Sequence, residues 1–423
     1  MHASEATDEP GVSQPGRIVV ETRGLSDVGC VRSENQDGFL IGDLSRGRIL
    51  AAGGTLAHLD GADSGDGATA VDGPGYEAGP RGLLWVVCDG MGGAAAGEVA
   101  SELAGRMVWD EMHRAQATTE RVVYGRRLRR AVRMANLQVW DEGRRRPQLK
   151  GMGTTLSAAG LMGSVVIMAQ IGDSRAYVAR GAHLVQVTRD QSVGAALVQS
   201  GRMTPEEVRD TPHAHTVLQA LGIRDDVEVA LSIVRIRRGD RLLLCSDGLY
   251  GPLGDALLLH ILRTHADVDR AAAALVAAAR AAGGPDNITA VLVRFDGEGL
   301  REARDDEPPR FVEMDPMEEG DRAMIDTARV ARRLAAQFGL DEDPGPPVVP
   351  ATGQYLAQRG PRQPRYQVTS STDAESTDAE STDAESMRAE TSGPRMAPLL
   401  WIAAVVMAVT VATWLAWDYL WTP

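Results

Sequence analysis

Four aspartates in the first two-thirds of the chain each stand beside an apolar run, inside a short motif. They are Asp37 in RSENQD, Asp89 in LLWVVCDGMGG, Asp247 in RLLLCSDGL and Asp286 in GGPDNIT. A carboxylate at the end of a buried strand is costly unless it is paired or holds a cation. Each of the four is followed by Gly or Asn, which points to strand ends converging on a hard-metal site built from oxygen ligands. Such a site suits hydrolysis, with a phosphate ester as the natural substrate.

The sequence around them alternates strand-like runs with Ala-rich helical stretches. Residues 18–22, 38–42 and 83–88 read as strands, and 97–112 and 121–140 have helical spacing. A meander is expected over 154–161, 165–171, 175–180 and 183–186, each run broken by turn residues. More helix is expected over 256–282, before a last strand at 289–295. Short turns between adjacent strands favour antiparallel sheets with helices on their outer faces, an α+β fold. The long Gly/Ala/Asp-rich stretch 43–80 is expected to be a flexible surface insertion. If Asp37 starts one strand and Asp89 ends the next, their connection lies at the distal end, about 20 Å away for a six-residue strand.

The globular part is expected to span 17–296, after a disordered acidic N-terminus over 1–16 that contains no signal peptide. An acidic low-complexity linker is expected over 297–395, with one amphipathic helix at 321–338 and a perfect triple STDAE repeat at 371–385. As a flexible chain such a linker reaches roughly 55 Å. Residues 397–417 carry no charge, follow Arg388 and Arg395, and end among Trp414, Trp417, Tyr419 and Trp421. About 20 helical residues span a bilayer core, so this is read as a transmembrane anchor, leaving 418–423 as a short external tail. The positive-inside rule then places the globular part in the cytoplasm, at the inner membrane.

The net charge of −14 argues against general nucleic-acid binding. Three cysteines, Cys30, Cys88 and Cys245, make no disulfide framework, and the two that end apolar runs read as small buried hydrophobes. The arginines over 126–133 and 144–146 suit the solvated face of an outer helix.

Taken in order, SDVGCVRSENQD (26–37), VVCDGMGGAAAGEVAS (86–101), GMGTTLSA (151–158), IGDSRAY (171–177), GRMTPEEV (201–208), GDRLLLCSDGL (239–249) and GGPDNIT (283–289) resemble the metal-dependent, type 2C serine/threonine protein phosphatases in their bacterial form. The resemblance covers roughly 17–296. It implies a four-layer α-β-β-α sandwich of two antiparallel sheets flanked by helices. It also implies two divalent ions, Mn²⁺ or Mg²⁺, that activate a water for in-line attack on phosphorus without a covalent enzyme intermediate. Carried over by motif, Asp89 bridges the ions and the Gly90 carbonyl adds a ligand. Asp37 holds one ion mostly through water, and Asp247 and Asp286 hold the other. Asp173 with Asp247 would take a third, weaker ion, and Arg32 would clamp the phosphate with its forked guanidinium. Asp27 reads as a turn residue, and Gly153, Thr154 and Thr155 as shaping the strand beneath the site.

Two departures bear on detail. Met91 stands where eukaryotic relatives carry a histidine, and Ala94 where many bacterial ones do, so leaving-group protonation falls to a water. The segment 194–222 places His213 and His215 where relatives often carry Arg or a hydroxyl residue. The partners implied are phosphorylated proteins, bacterial Ser/Thr kinases and their substrates, and the bilayer. Two rival readings are a catalytically silent phosphoprotein scaffold, which should have lost a core ligand, and a phosphatase dedicated to one anti-sigma-type partner.

Overall fold

Strand β2 (Asp37–Asp43) is buried at every position, and β5 (Leu83–Met91) over its first six. Burial on both faces demands cover on both sides, and the computed structural model supplies it. It describes residues 16–60, 75–93, 96–204, 207–208, 211, 214, 216–304 and 306–314. The remaining strands are β1 (Val19–Asp27), β3 (Arg48–Gly54), β4 (Tyr76–Glu77), β6 (Gly153–Thr154), β7 (Leu156–Met162), β8 (Val165–Ile171), β9 (Arg175–Arg180), β10 (His183–Gln186), β11 (Ala230–Arg235), β12 (Arg241–Cys245), β13 (Ile288–Asp296) and β14 (Phe311–Glu313). The helices are α1 (Ala96–Arg114), α2 (Arg121–Arg145), α3 (Val193–Gln199), α4 (Asp247–Thr264) and α5 (Val268–Ala281).

Two antiparallel sheets result. One runs β10-β9-β12-β13-β1-β4 and the other β14-β11-β8-β7-β5-β2-β3, with β6 paired to β5. Three layers of apolar side chains hold four layers of structure. Ala100, Ala104, Val108, Leu128 and Ala135 of α1 and α2 pack on Leu84, Val86, Ala158 and Ile167. Phe39, Ile41, Trp85, Val87, Val291 and Phe295 fill the space between the sheets. Leu249, Leu258, Ala271 and Leu275 of α4 and α5 cover Tyr177, Leu243 and Leu292. Burying each of the larger aliphatic and aromatic side chains contributes about 1.5–3 kcal/mol. The α+β sandwich expected from the motifs is therefore the fold observed.

Three expectations are corrected. The stretch 43–80 is not wholly a flexible insertion at the distal end. β3 folds back along β2, Gly38 opposite Gly54, and returns the chain to the Asp37 end, where Thr55 N–H donates to the Asp37 carbonyl at 2.9 Å. Its glycines are packing devices: a Cβ on Gly53 would lie 2.2 Å from the Phe39 ring. Gly54 turns at φ 59°, and a Cβ there would meet the Asp37 carbonyl oxygen at 2.1 Å. Composition that reads as a loop is here a strand held against an aromatic ring.

The meander is split between sheets. β7 and β8 pair in one, while β9 and β10 pair in the other, so residues 172–174 cross the sandwich. The helix expected over 256–282 is present as α4 and α5, and α4 begins earlier, at Asp247.

The globular part also runs past Asp296. Leu300 is buried between the sheets, β14 adds to β11, and Glu307 pairs with Arg237 at 2.8 Å and Arg180 at 3.4 Å. Arg180 in turn makes two bonds to fully buried Asp240, at 2.7 and 2.8 Å. Charged composition here marks a strap that closes an ion-pair network. The other part of the expected linker, with the 321–338 helix, the STDAE repeats and the 397–417 anchor, lies outside the described residues, as does 1–15. Among the described residues no helix is long and apolar enough to cross a membrane.

The strap makes a prediction. A chain ended after Asp296 should be less stable to denaturant than one ended after Met314, by about 1.5–3 kcal/mol from the loss of Leu300 burial, with the loss of the Glu307 pairs acting in the same direction. Equal midpoints in urea would show that the strap is ornamental.

Candidate active site

The antiparallel register of β2 and β5 sets Asp37 directly opposite Asp89. Neighbouring residues on paired strands lie about 4.5–5.5 Å apart, so the sheet itself holds two like charges together. The other acidic residues come from the facing sheet and its connections. Asp247 opens α4, Asp286 sits just before β13, and Asp173 occupies the β8–β9 crossing. Only Asp37 and Asp89 therefore stand on strands. Asp247 gains instead from the helix N-terminus, whose partial positive charge favours a carboxylate.

The electrostatics show how closely these groups are gathered. Burial pushes the Asp37 carboxyl up to about 7; hydrogen bonds from Ser246 and Thr289 pull it down, and Asp247 and Asp286 push it up again. Burial, then Asp37, Asp247, Asp173 and Asp286, hold Asp89 well above the ordinary carboxylate range. Burial and the charge of Asp247 raise Asp173 to about 7. Arg32 is the exposed cation paired with Asp286 at this cluster, while Arg175 acts on Asp173 from the start of β9. Arg32 Nη2 bonds Asp286 Oδ2 at 2.8 Å while its side chain stays 57 % exposed, and the pairing lifts its own pKa.

Backbone contacts fix each member. Asp89 N–H donates to Thr155 Oγ1 at 3.1 Å, and its carbonyl accepts from Thr155 N–H and Thr154 Oγ1, both at 2.9 Å. Thr154 and Thr155 thus pin the backbone beneath the carboxylate. Gly90 lies where a Cβ would meet the Gly97 carbonyl oxygen at 2.2 Å and that of Gln36 at 2.6 Å. Asn287 ties the RSENQD loop to the Asp286 turn: its Nδ2 donates to the Val28 and Glu34 carbonyls, and its Oδ1 accepts from Gln36 N–H. Asp27 Oδ1 accepts from Gly29 N–H at 2.8 Å and from Arg280, a turn geometry. The Asp173 turn is braced by Tyr250, whose hydroxyl donates to the Asp173 carbonyl at 3.0 Å, and by Gln191, which bonds both backbone groups of Gly172.

The donor set fits a hard divalent cation. It consists of carboxylate oxygens, with imidazoles and thiols absent among the described residues of the cluster; Cys88 and Cys245 are buried and their thiols are pushed up by that burial. Among the described residues no three such side chains close to direct-ligation geometry. Mutually repelling carboxylates accomplish that only around a positive charge. Asp37, Asp89, Asp247, Asp286 and Asp173 are brought together, and Arg32 and Gly90 border them. His213, His215 and Ala94 lie outside the described residues. The residue reading missed Ser246, Thr289, Asn287, Ser26 and Asn35, although each adjoins a motif aspartate or lies within the same loop.

Gly248 generates a prediction. A Cβ there would lie 2.0 Å from the Asn287 carbonyl oxygen, so Gly248→Ala should push α4 away from the Asp286 turn. The expected result is about 1–3 kcal/mol of lost stability, read by urea unfolding, with activity falling further than stability accounts for. Wild-type stability and activity would show that the two elements do not need this approach.

Comparison with known proteins agrees with the geometry. The family model described as "Protein phosphatase 2C" matches residues 65–293. The chain is 36 % identical over 211 residues to the serine/threonine phosphatase stp of Listeria monocytogenes, covering 50 % of this chain and 84 % of that one. The crystal structure of the Mycobacterium tuberculosis serine/threonine phosphatase PstP/Ppp matches with a TM-score of 0.52 at 32 % identity, over 66 % of this chain and 99 % of that one. A structure of the PstP catalytic domain in complex with two manganese ions matches with a TM-score of 0.51 at 31 % identity, over the same shares. The aspartate cluster, the sandwich that carries it and these likenesses together show that the chain belongs to the protein phosphatase 2C family of serine/threonine phosphatases.

Proposed function

We propose that this chain hydrolyses phosphoserine and phosphothreonine on proteins, using two divalent cations held by Asp37, Asp89, Asp247 and Asp286. The observation that carries the reading is the gathering of those four carboxylates, with Asp173, around one end of the sandwich beside the exposed guanidinium of Arg32. Asp89 lies centrally, since it feels the charge of every other member. Its carboxylate would help hold both ions, and the neighbouring Gly90 carbonyl would add a ligand. When bound, such ions lower the pKa of a water and polarise phosphoryl oxygen.

The chain's own residues do the remainder. Arg32 grips phosphate oxygens through two parallel N–H groups, holding the ester in line and offsetting charge that develops on it. Its bond to Asp286 aims the fork at the cluster. Thr154 and Thr155 keep the Asp89 backbone from shifting as charge moves. Tyr250 and Gln191 hold the Asp173 turn, which would give a third, weaker ion its place with Asp247.

The sequence beyond the described residues supports a setting. The uncharged 397–417 segment serves as a membrane anchor, the acidic sequence before it separates the anchor from the enzyme at the cytoplasmic face, and phosphorylated kinases and their substrates are its clientele. A silent scaffold is disfavoured because every carboxylate ligand position is filled by aspartate.

The test uses the full-length chain and a phosphothreonine peptide. Phosphate release should require Mn²⁺ or Mg²⁺, stop with chelator and vanish in Asp247→Asn. Arg32→Ala should lower kcat/KM by about 100-fold, with Arg32→Lys in between because a point charge cannot grip two oxygens. A folded wild-type chain that releases no phosphate with any divalent ion would sink the enzyme reading. For the anchor, the full-length chain should sediment with membranes and resist high salt, while a chain ended at residue 396 stays soluble. Equal partition of both would remove the anchor from the account.

A further inference from the structure

The hydroxyls around Asp37 are arranged in a directed order. Ser246 occupies the N-cap position of α4, yet its side chain makes no capping bond to the helix. Its Oγ accepts the Thr289 N–H at 3.0 Å and lies 2.7 Å from Asp37 Oδ2, against 3.5 Å from the Asn287 carbonyl. A serine hydroxyl has one proton, and the nearer acceptor is the carboxylate. Ser246 is fully buried and forgoes the usual benefit of a cap.

Thr289 approaches the same carboxylate from β13. Its hydroxyl faces Asp37 closely enough to favour the ionised carboxylate, and it lies 2.8 Å from Ser26 Oγ, which accepts from Asn35 Nδ2 at 2.9 Å. An ionised carboxylate only accepts, so Thr289 gives its proton to Asp37. Ser26 then gives its own to Thr289, and Asn35 completes the line. Asn35 Oδ1 meanwhile accepts the Asp37 N–H at 3.2 Å, closing the loop on the same residue. Donors from two elements of the facing sheet therefore converge on an aspartate of the other sheet.

We propose that Ser246 and Thr289 are positioning residues that lock the Asp37 carboxylate in one orientation and so set the affinity of its metal position. The proposal rests on the metal-phosphatase reading above. Two donors from different elements remove the rotation of the carboxylate, which otherwise would have to be frozen when an ion binds. Partners behind a ligand act this way in general, and their loss costs 10- to 100-fold in affinity or activity. Because Ser246 makes no cap bond, Ser246→Ala leaves α4 capped as before; it removes the contact to Asp37 together with the acceptor of the Thr289 N–H, and the Thr289 variants separate the two losses.

The experiment is Mn²⁺ binding to the full-length chain by isothermal titration calorimetry, with circular dichroism as the folding check. Wild type is compared with Ser246→Ala, Thr289→Val and the hydroxyl-retaining Thr289→Ser. Ser246→Ala and Thr289→Val should weaken one class of Mn²⁺ site by about 10-fold or more, and raise the Mn²⁺ needed for half-maximal rate in step. Thr289→Ser should bind as wild type does. Unchanged Mn²⁺ affinity in folded Ser246→Ala and Thr289→Val would overturn the proposal and leave the phosphatase reading standing. So would equal losses in Thr289→Ser and Thr289→Val, since the hydroxyl would then be irrelevant. Should Ser246→Ala fail to fold, the Thr289 pair decides alone. A wild-type chain that binds no Mn²⁺ overturns both the proposal and the metal reading.

Discussion

Repulsion between carboxylates is the constraint around which this molecule is arranged. Two unit charges 4 Å apart in an effective dielectric of 20 repel by about 4 kcal/mol, and here five acidic groups share one end of the sandwich. The fold answers with rigid geometry. A strand register sets Asp37 against Asp89, a helix N-terminus carries Asp247, and a turn clamped by Asn287 carries Asp286. Hydroxyls from Ser246 and Thr289 stabilise Asp37, and Arg32 stabilises Asp286. The remaining demand for positive charge is what a pair of divalent cations would satisfy. A site strained in this way has its function written into its instability.

The apolar layers exist, in this view, to keep that strain from being relieved by movement. Phe39, Trp85 and Phe295 are fully buried between the sheets, with Trp85 and Phe295 meeting edge to face at 6.0 Å. Phe39 follows Asp37 by two residues, and Trp85 precedes Asp89 by four, so each packed ring lies on the strand that carries a ligand candidate. Displacing either carboxylate would require breaking the core between the sheets. The strap over 297–314 reinforces the opposite end through Arg180, Asp240 and Glu307.

How legible this was in the sequence depends on where the signal resides. Strands such as β5 and β13 announce themselves as apolar runs, and the aspartates stand out because carboxylates are rare beside such runs. β3 did not, because its glycines are chosen for close approach to Phe39 and the Asp37 backbone, and glycine reads locally as loop. The strap was hidden for a related reason: Glu307 belongs to a network with Arg180, more than a hundred residues earlier, so its local context is merely charged. The split of the presumed meander at Asp173 could not be read from turns, since a hairpin and a sheet-crossing turn use the same residue types. The hydroxyl line behind Asp37 required three dimensions, because Ser26, Ser246 and Thr289 come together through the pairing of β1, β12 and β13 and reach Asp37 only when the other sheet faces them.

The central claim, that the carboxylate cluster exists to hold a pair of divalent cations, is tested most directly by anomalous diffraction from crystals of the protein grown with Mn²⁺. The account predicts two strong anomalous peaks among Asp37, Asp89, Asp247 and Asp286, with Asp89 beside both. Well-ordered crystals with those carboxylates in place and no anomalous peak among them would contradict it.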